Sequence, residues 1–326
     1  MAKYKDIGGT TVGFRSGAEE YTYPSPEGEL FYNSSNGQFQ FVGLGGGNWA
    51  TGGTLNTARK PDSGSDGTLT AAIVAGGYTG SRVAVTEQYN GSSWTEVGDL
   101  NDARYTGALF GTSSSSIYTG GDTPPYTGNT ESWNNSSWTE VANLNTARRE
   151  IGRAGASNTS GLIAGGYASP GYQAIVETWN GTGWTEVGDL NTARSGLSGA
   201  GTATAAIVAA GDTPPRTVNA EVWDGSSWTE VNNLNTGRMY AGTTGLSSTD
   251  ALLFGGLAAP GNANNTESWN GTSWTELNNL ATARQSLGGA GASGSSALAS
   301  GGAAPGYSTA TEEWTFSHPI KTVTTS

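Results

Sequence analysis

Trp94-Thr95-Glu96-Val97-Gly98-Asp99-Leu100-Asn101-Asp102-Ala103-Arg104 decides the fold of this chain, because close copies of it run from one end to the other. The tryptophan returns as Trp49, Trp94, Trp138, Trp184, Trp228 and Trp274, at spacings of 44 to 46 residues. Ten residues after each comes an arginine: Arg59, Arg104, Arg148, Arg194, Arg238 and Arg284. A fixed period in the forties marks a solenoid or a propeller.

Between copies the chain reads as four short strokes. In the unit after Arg104, a small-residue strand spans 105–110 and the Gly/Ser turn 111–116. Ile117-Tyr118-Thr119 then runs into Gly120-Gly121, a variable loop follows, and Thr130-Glu131-Ser132-Trp133 and Trp138-Thr139-Glu140-Val141 flank a polar turn. Four strands in about 45 residues describe one propeller blade. The double glycine recurs as Gly76-Gly77, Gly165-Gly166, Gly255-Gly256 and Gly301-Gly302, with Ala210-Gly211 the departure. A glutamate two residues before an aromatic recurs too: Glu87 with Tyr89, Glu131 with Trp133, Glu177 with Trp179, Glu221 with Trp223, Glu267 with Trp269 and Glu312 with Trp314.

The expected fold is all-β, a six-bladed propeller over residues 48–316. The last unit lacks its fourth strand, whereas Asn48-Trp49-Ala50-Thr51 is a fourth strand with no first three. Pairing that N-terminal strand into the last blade removes an open sheet edge, so it is expected to lie beside Trp314. Ahead of the propeller, residues 1–47 read as an extended or irregular segment followed by a hairpin in 28–42 around an Asn36-Gly37 turn. Residues 317–326 read as a C-terminal tail.

Composition narrows the function. The net charge of -12, with 27 acidic and 15 basic residues, argues against a phosphate-binding surface, so neither nucleic acid nor an anionic membrane is expected as a partner. With no cysteine and a single histidine, His318, the chain lacks disulfides, thiol nucleophiles and the imidazole ligands of most transition-metal sites. No cofactor and no metal are expected. Neither a signal peptide nor an apolar run long enough for a membrane span is seen, so synthesis in a cytosol is expected.

The arginines and strand glutamates recur in every unit, which points to scaffold, with Arg–Glu pairing or arginine-to-backbone bonds as their role. A catalytic site on a pseudo-symmetric ring needs different residues from different blades. What varies is the loop after the double glycine, and variation within a repeat is where individual function can reside. The candidate binding residues there are Tyr78, Arg82, Asp122, Tyr126, Tyr167, Tyr172, Asp212, Arg216, Asn262 and Tyr307. Tyrosine stacking and Arg, Asn and Asp hydrogen bonds suit glycan or protein recognition.

An apolar strand ending in Gly-Gly, followed by an aromatic and then a Trp, resembles the kelch repeat, a propeller family. With Leu-Asn-Thr-Ala-Arg and Thr-Glu-x-Trp-Asn-Gly-x-x-Trp the units look like the kelch-type propellers of marine tailed-phage virion proteins, and the Gly28-to-Val42 hairpin resembles a short module of phage tail-fibre proteins. The resemblance implies a non-enzymatic structural virion protein, such as a fibre, tail or head appendage. It would assemble in the host cytoplasm, dock on other virion proteins through residues 1–47, and display the propeller to a host-surface glycan or protein. A homo-oligomer is compatible with this reading. A cellular kelch-like scaffold or lectin, and a glycan hydrolase on the propeller face, are the alternatives. The chemistry of the kelch-bearing copper oxidases is excluded by the missing cysteine. The turn Asp224-Gly225-Ser226-Ser227 also lacks the Ser-x-Asp-x-Gly spacing of sialidase Asp-boxes.

Overall fold

A computed structural model describes residues 13–15, 30–33, 37–42, 46–62, 64–317 and 320–322. Within it, six four-stranded antiparallel sheets stand in a ring, and the innermost strands of adjacent sheets lie against one another all the way round, the sixth against the first. Blade 2 is typical: Ala108–Thr112, Ser115–Thr119, Thr130–Trp133 and Trp138–Val141 run from the axis outward. The expected closure is present. Gly46–Thr51 is the outer strand of blade 6, antiparallel to Thr311–Ser317, with Trp49 opposite Trp314.

The core is divided into six buried clusters, each shared between two neighbouring blades. Within a blade the third-strand aromatic faces the outer-strand Trp, as Trp133 faces Trp138 and Trp269 faces Trp274, with ring centroids 5.3 and 5.4 Å apart. The outer Trp reaches back over the preceding blade: Trp138 packs with Ile73 and Ala75 of blade 1, and Trp274 with Ala209 and Ala220 of blade 4. A buried Trp hides about 150–250 Å², worth on the order of 4–6 kcal/mol as an upper bound, so these residues weld the ring.

The remaining repeat motifs fasten each crossing between blades. Every arginine of the repeat is fully buried and pairs with the third-strand glutamate of the blade it leads into. The distances are 2.5 Å for Arg59–Glu87, 2.8 Å for Arg104–Glu131, 2.8 Å for Arg194–Glu221, 2.6 Å for Arg238–Glu267 and 3.0 Å for Arg284–Glu312; Arg148–Glu177 is paired likewise. The motif asparagine adds its backbone N–H and side-chain amide to the same carboxylate, as Asn235 does to Glu267 at 2.8 Å each. In the double glycine, the second N–H donates to the carbonyl of the next blade's arginine, at 2.8–3.0 Å in all six cases. The first glycine has φ near +60°, and only Ala210, at φ 64, stands there with a side chain. Left-handed backbone favours glycine, which explains the motif.

A further four-stranded sheet stands apart from the six blades in its pairing. Leu30–Asn33 and Gln38–Val42 form the expected hairpin, with Tyr32 opposite Phe39. Gly13–Arg15 joins it in parallel, and Ile320–Thr322 pairs with Gln38–Val42. The C-terminal segment therefore supplies a strand to this sheet, and the closing propeller strand begins at Gly46, inside the segment drawn as 1–47. The rest of the extended reading of residues 1–28, the turn residues 34–36 and His318 lie outside the described residues.

Candidate functional site

The residue after each repeat arginine forms an isolated bridge with the residue after that blade's double glycine: Lys60 with Tyr78, Tyr105 with Asp122, Arg149 with Tyr167, Ser195 with Asp212, Met239 with Leu257 and Gln285 with Ala303. These bridges put the variable loops and the blade crossings on one face, in concentric rings around the axis.

The loop residues on this face are tied to one another from blade to blade. Tyr307, among the most exposed large apolar side chains, meets Tyr78 edge-on at 5.9 Å, and Tyr78 lies 5.0 Å from Tyr105. The Lys60 ammonium stands over both Tyr78 and Tyr105, at 5.3 and 5.8 Å. Arg82 crosses to blade 2, donating to the Asp122 carbonyl and carboxylate at 3.0 Å each, and Arg149 of blade 3 reaches the other oxygen of Asp122 at 3.4 Å. The Arg149 guanidinium also covers the Tyr126 and Tyr167 rings. Tyr126 accepts a bond from the Ser169 N–H, and Tyr172 donates to Asp212 at 2.6 Å. That bond, with some burial, pushes the Tyr172 phenol up to about 12. Burial first, and then Asp122, raises Tyr105.

An arc of aromatic and charged side chains thus runs from blade 6 through blades 1, 2 and 3 to blade 4. Opposite it the same positions carry Met239, Leu257 and Ala258. Asn262 of blade 5 donates to the Ala303 carbonyl of blade 6 at 2.9 Å. Arg216 is half-buried, bridges Asp212 through its backbone, and has no side-chain ion pair among the described residues. The structure therefore brings together Tyr78, Arg82, Asp122, Tyr126, Tyr167, Tyr172, Asp212 and Tyr307, ties Asn262 to the blade 6 loop only through that loop's backbone, and leaves Arg216 to one side.

A second set of residues on this face escapes sequence reasoning. One position further along each crossing, or two in blade 1 where Pro61 is inserted, stand Asp62, Thr106, Glu150, Gly196, Tyr240 and Ser286, all with φ between 51 and 62. Their backbones pass hydrogen bonds from blade to blade around the axis: Glu150 N–H to Thr106, Gly196 to Glu150, Tyr240 to Gly196, Ser286 to Tyr240 and Asp62 to Ser286, at 2.7–3.1 Å. Left-handed backbone at non-glycine residues costs on the order of 1–3 kcal/mol each and persists only where the surroundings enforce it. The signal was available, since this position varies between units as freely as the loops do.

At this axial mouth Asp62 is 6 % exposed. Burial pushes its carboxyl up to about 7, opposed by the Ser286 hydroxyl and Lys60 and reinforced by Glu150. Its Oδ2 has no hydrogen-bond partner. Glu150 accepts from Ser195 Oγ at 2.7 Å. Tyr240 is raised by burial, then by Glu150 and Asp62. A cavity of about 10 Å³ lies among Asp62, Thr106, Glu150, Gly196 and Tyr240. Below it Arg153 of blade 3 crosses the axis to Asp66 of blade 1 at 3.1 Å and to the Gly289 carbonyl of blade 6 at 2.9 Å. Burial raises Asp66 to about 6, against the pull of Arg153 and the Gly67 and Gly111 N–H groups. Two more cavities of about 10 Å³ flank Arg153, each with room for one water or ion. The bore is closed by side chains, and a sugar does not fit it.

Among the described residues no group of three or more His, Cys, Asp or Glu gathers around a metal position, and no helix is long and apolar enough to cross a membrane. No protein-family model matches the chain, and no curated protein matches it in sequence.

Proposed function

We propose that this chain is a binding protein that uses the loop face of its propeller to engage a host-surface glycan or protein, as a structural component of a tailed-phage virion. The observation that carries the binding half is the arc on the loop face. Tyr307, Tyr78 and Tyr105 under Lys60, and Tyr126 and Tyr167 under Arg149, form two aromatic patches joined by Arg82 and Asp122. Their mutual bonds hold them in place before a ligand arrives, which lowers the ordering cost of binding. The virion half rests on the kelch-like repeat motifs and on the hairpin at residues 30–42. The small sheet, to which both ends of the chain contribute, is the element for docking on other virion proteins.

The test is binding of the full chain to whole host cells, competed by purified surface polysaccharide. Paired substitution of Tyr78 and Tyr167 by Ala removes one ring from each patch and is expected to weaken binding at least about tenfold, with the propeller still folded. Unchanged binding overturns the assignment of the face. For docking, loss of particle incorporation on removing 1–45 together with 318–326 supports the reading, and unaffected incorporation counts against it. Cutting at 45 keeps the closing strand intact.

A further inference from the structure

Loop-face recognition leaves the chemistry of the ligand open, and the placement of charge narrows it. Between residues 46 and 316 the chain has eleven lysines and arginines. Six are the buried clasp arginines, and Arg153 is spent across the axis. The other four, Lys60, Arg82, Arg149 and Arg216, all stand on the loop face. Elsewhere the propeller surface is acidic. The outer strands of blades 1 to 5 each present an exposed glutamate, and the turns and strand ends of the opposite face hold Asp224 and Asp250 and no cation. In a chain of net charge -12, every propeller cation that an external ligand can reach is thus gathered on one side. With a Debye length of about 10 Å in 0.1 M salt, these local groups rather than the net charge set what the face attracts.

The acids beside these cations are already matched or buried. Asp122 holds Arg82 and Arg149, Glu150 accepts from Ser195 Oγ, Asp212 accepts from the Tyr172 hydroxyl, and Asp62 is buried. Two of the cations are not matched. Lys60 stands over Tyr78 and Tyr105 and makes no ion pair among the described residues. Ring faces attract an ammonium but offer no lone pair to its three N–H donors. Arg216 is left over for a reason visible in the repeat. The last residue of a variable loop reaches the next blade, as Arg82 reaches Asp122, Tyr172 reaches Asp212 and Asn262 reaches the Ala303 carbonyl. The residue that Arg216 would reach by this rule is Leu257, whose side chain has no acceptor. Its guanidinium therefore keeps its N–H donors in the fork that fits a carboxylate. Lys60 leads into blade 1 and Arg216 belongs to blade 4, with most tyrosines of the arc between them. Resting on the recognition reading above, we infer that the ligand is a polysaccharide carrying carboxylate groups, whose sugar rings lie on the tyrosines and whose acid groups pair with Lys60 and Arg216. Two open cations three blades apart require charges that repeat along a chain, and so few cations on an acidic propeller do not suit a densely charged polyanion.

The experiment uses the full chain bound to host cells, with purified host-surface polysaccharide as competitor, either native or with its carboxyl groups chemically reduced to primary alcohols. Reduction keeps the sugar rings and removes only the charge. The reduced polymer is expected to compete about tenfold less well, and competition by the native one to weaken as NaCl rises from about 0.05 to 0.5 M. Lys60→Met with Arg216→Met is expected to lose about tenfold in affinity for the native polymer, with Arg216→Met alone as the second variant should the pair not fold. Arg216→Lys restores the charge without the fork and is expected to recover part of that loss, which a merely structural role would not produce. Equal competition by native and reduced polymer overturns this inference and leaves the recognition reading standing, as does native-polymer binding that the cation variants leave unchanged. Cell binding for which neither polymer competes overturns it in favour of a protein receptor. Absence of cell binding overturns both readings.

Discussion

Replacing Arg238 by Met tests the reasoning about the repeat most directly. Arg238 is fully buried and meets Glu267, itself 1 % exposed, at 2.6 Å. The substitution keeps most of the side-chain volume and removes the charge, leaving Glu267 with the Asn235 backbone and amide N–H donors and no cation. Breaking a buried pair from one side costs about 3–5 kcal/mol. Glu267→Leu strands the guanidinium instead, at a similar cost. The double variant strands neither charge. What lose a partner are the Asn235 donors and the Thr236 and Leu253 carbonyls that Arg238 had bonded at 3.2 and 3.4 Å. Two of these groups are partly hydrated, so the double variant is expected to lose about 3–5 kcal/mol in all, well short of the summed singles. The assay is urea unfolding followed by tryptophan fluorescence, from which the coupling energy should come out at no less than about 2 kcal/mol. A single variant that loses under about 1 kcal/mol, or a double variant equal to the sum of the two singles, refutes the view that this motif is a buried clasp.

Three further outcomes are expected. The outer-strand indoles Trp49, Trp94 and Trp138 each donate to a threonine of the preceding blade, but Trp274 Nε1 has no partner and packs beside Ala220, which holds the corresponding place. Ala220→Thr should therefore gain about 1 kcal/mol, visible as a melting temperature about 2 °C higher; a fall would show that the site cannot accept the larger side chain. At the closing strand, a Cβ on Gly47 would sit 1.9 Å from the Trp314 ring, whereas one on Gly46 meets nothing within 4 Å. Gly47→Ala should lose about 1–3 kcal/mol or more and Gly46→Ala within about 0.5, and equal effects would count against closure at this strand. Asp224 stands where four other turns have Asn90, Asn134, Asn180 and Asn270, and its bonds from the Ser226 hydroxyl and the Ser227 and Ser226 N–H groups pull its carboxyl down to about 2. A lowered folded value gives stabilisation that is present above the unfolded value near 4 and is lost as pH falls through about 2. A carboxyl NMR titration with a midpoint at or above 4 would contradict it.

The sequence by itself determined the architecture of the ring. A Trp, an Arg, a Glu and a double glycine returning every 44 to 46 residues describe the same four strands and the same crossing each time. The unmatched copy at Trp49 and the missing one after Trp314 leave a single way to close an otherwise open edge, and Trp49 does pair with Trp314. These features are legible because each motif acts on its own blade or the next one, so local pattern carries them. Tertiary structure alone decided the rest. Asp66 and Arg153 lie 87 residues apart and meet only because inner strands of non-adjacent blades converge on one axis. Asp62 and Glu150 share a cavity for the same reason, and no spacing announces it. The loops after the double glycine were visible as the variable part, but not their cross-links: whether Arg82 finds Asp122 or Tyr172 finds Asp212 depends on the angle between neighbouring blades. Pairing of Ile320–Thr322 with the N-terminal hairpin follows from the same fact, since closing the ring brings the two ends of the chain together.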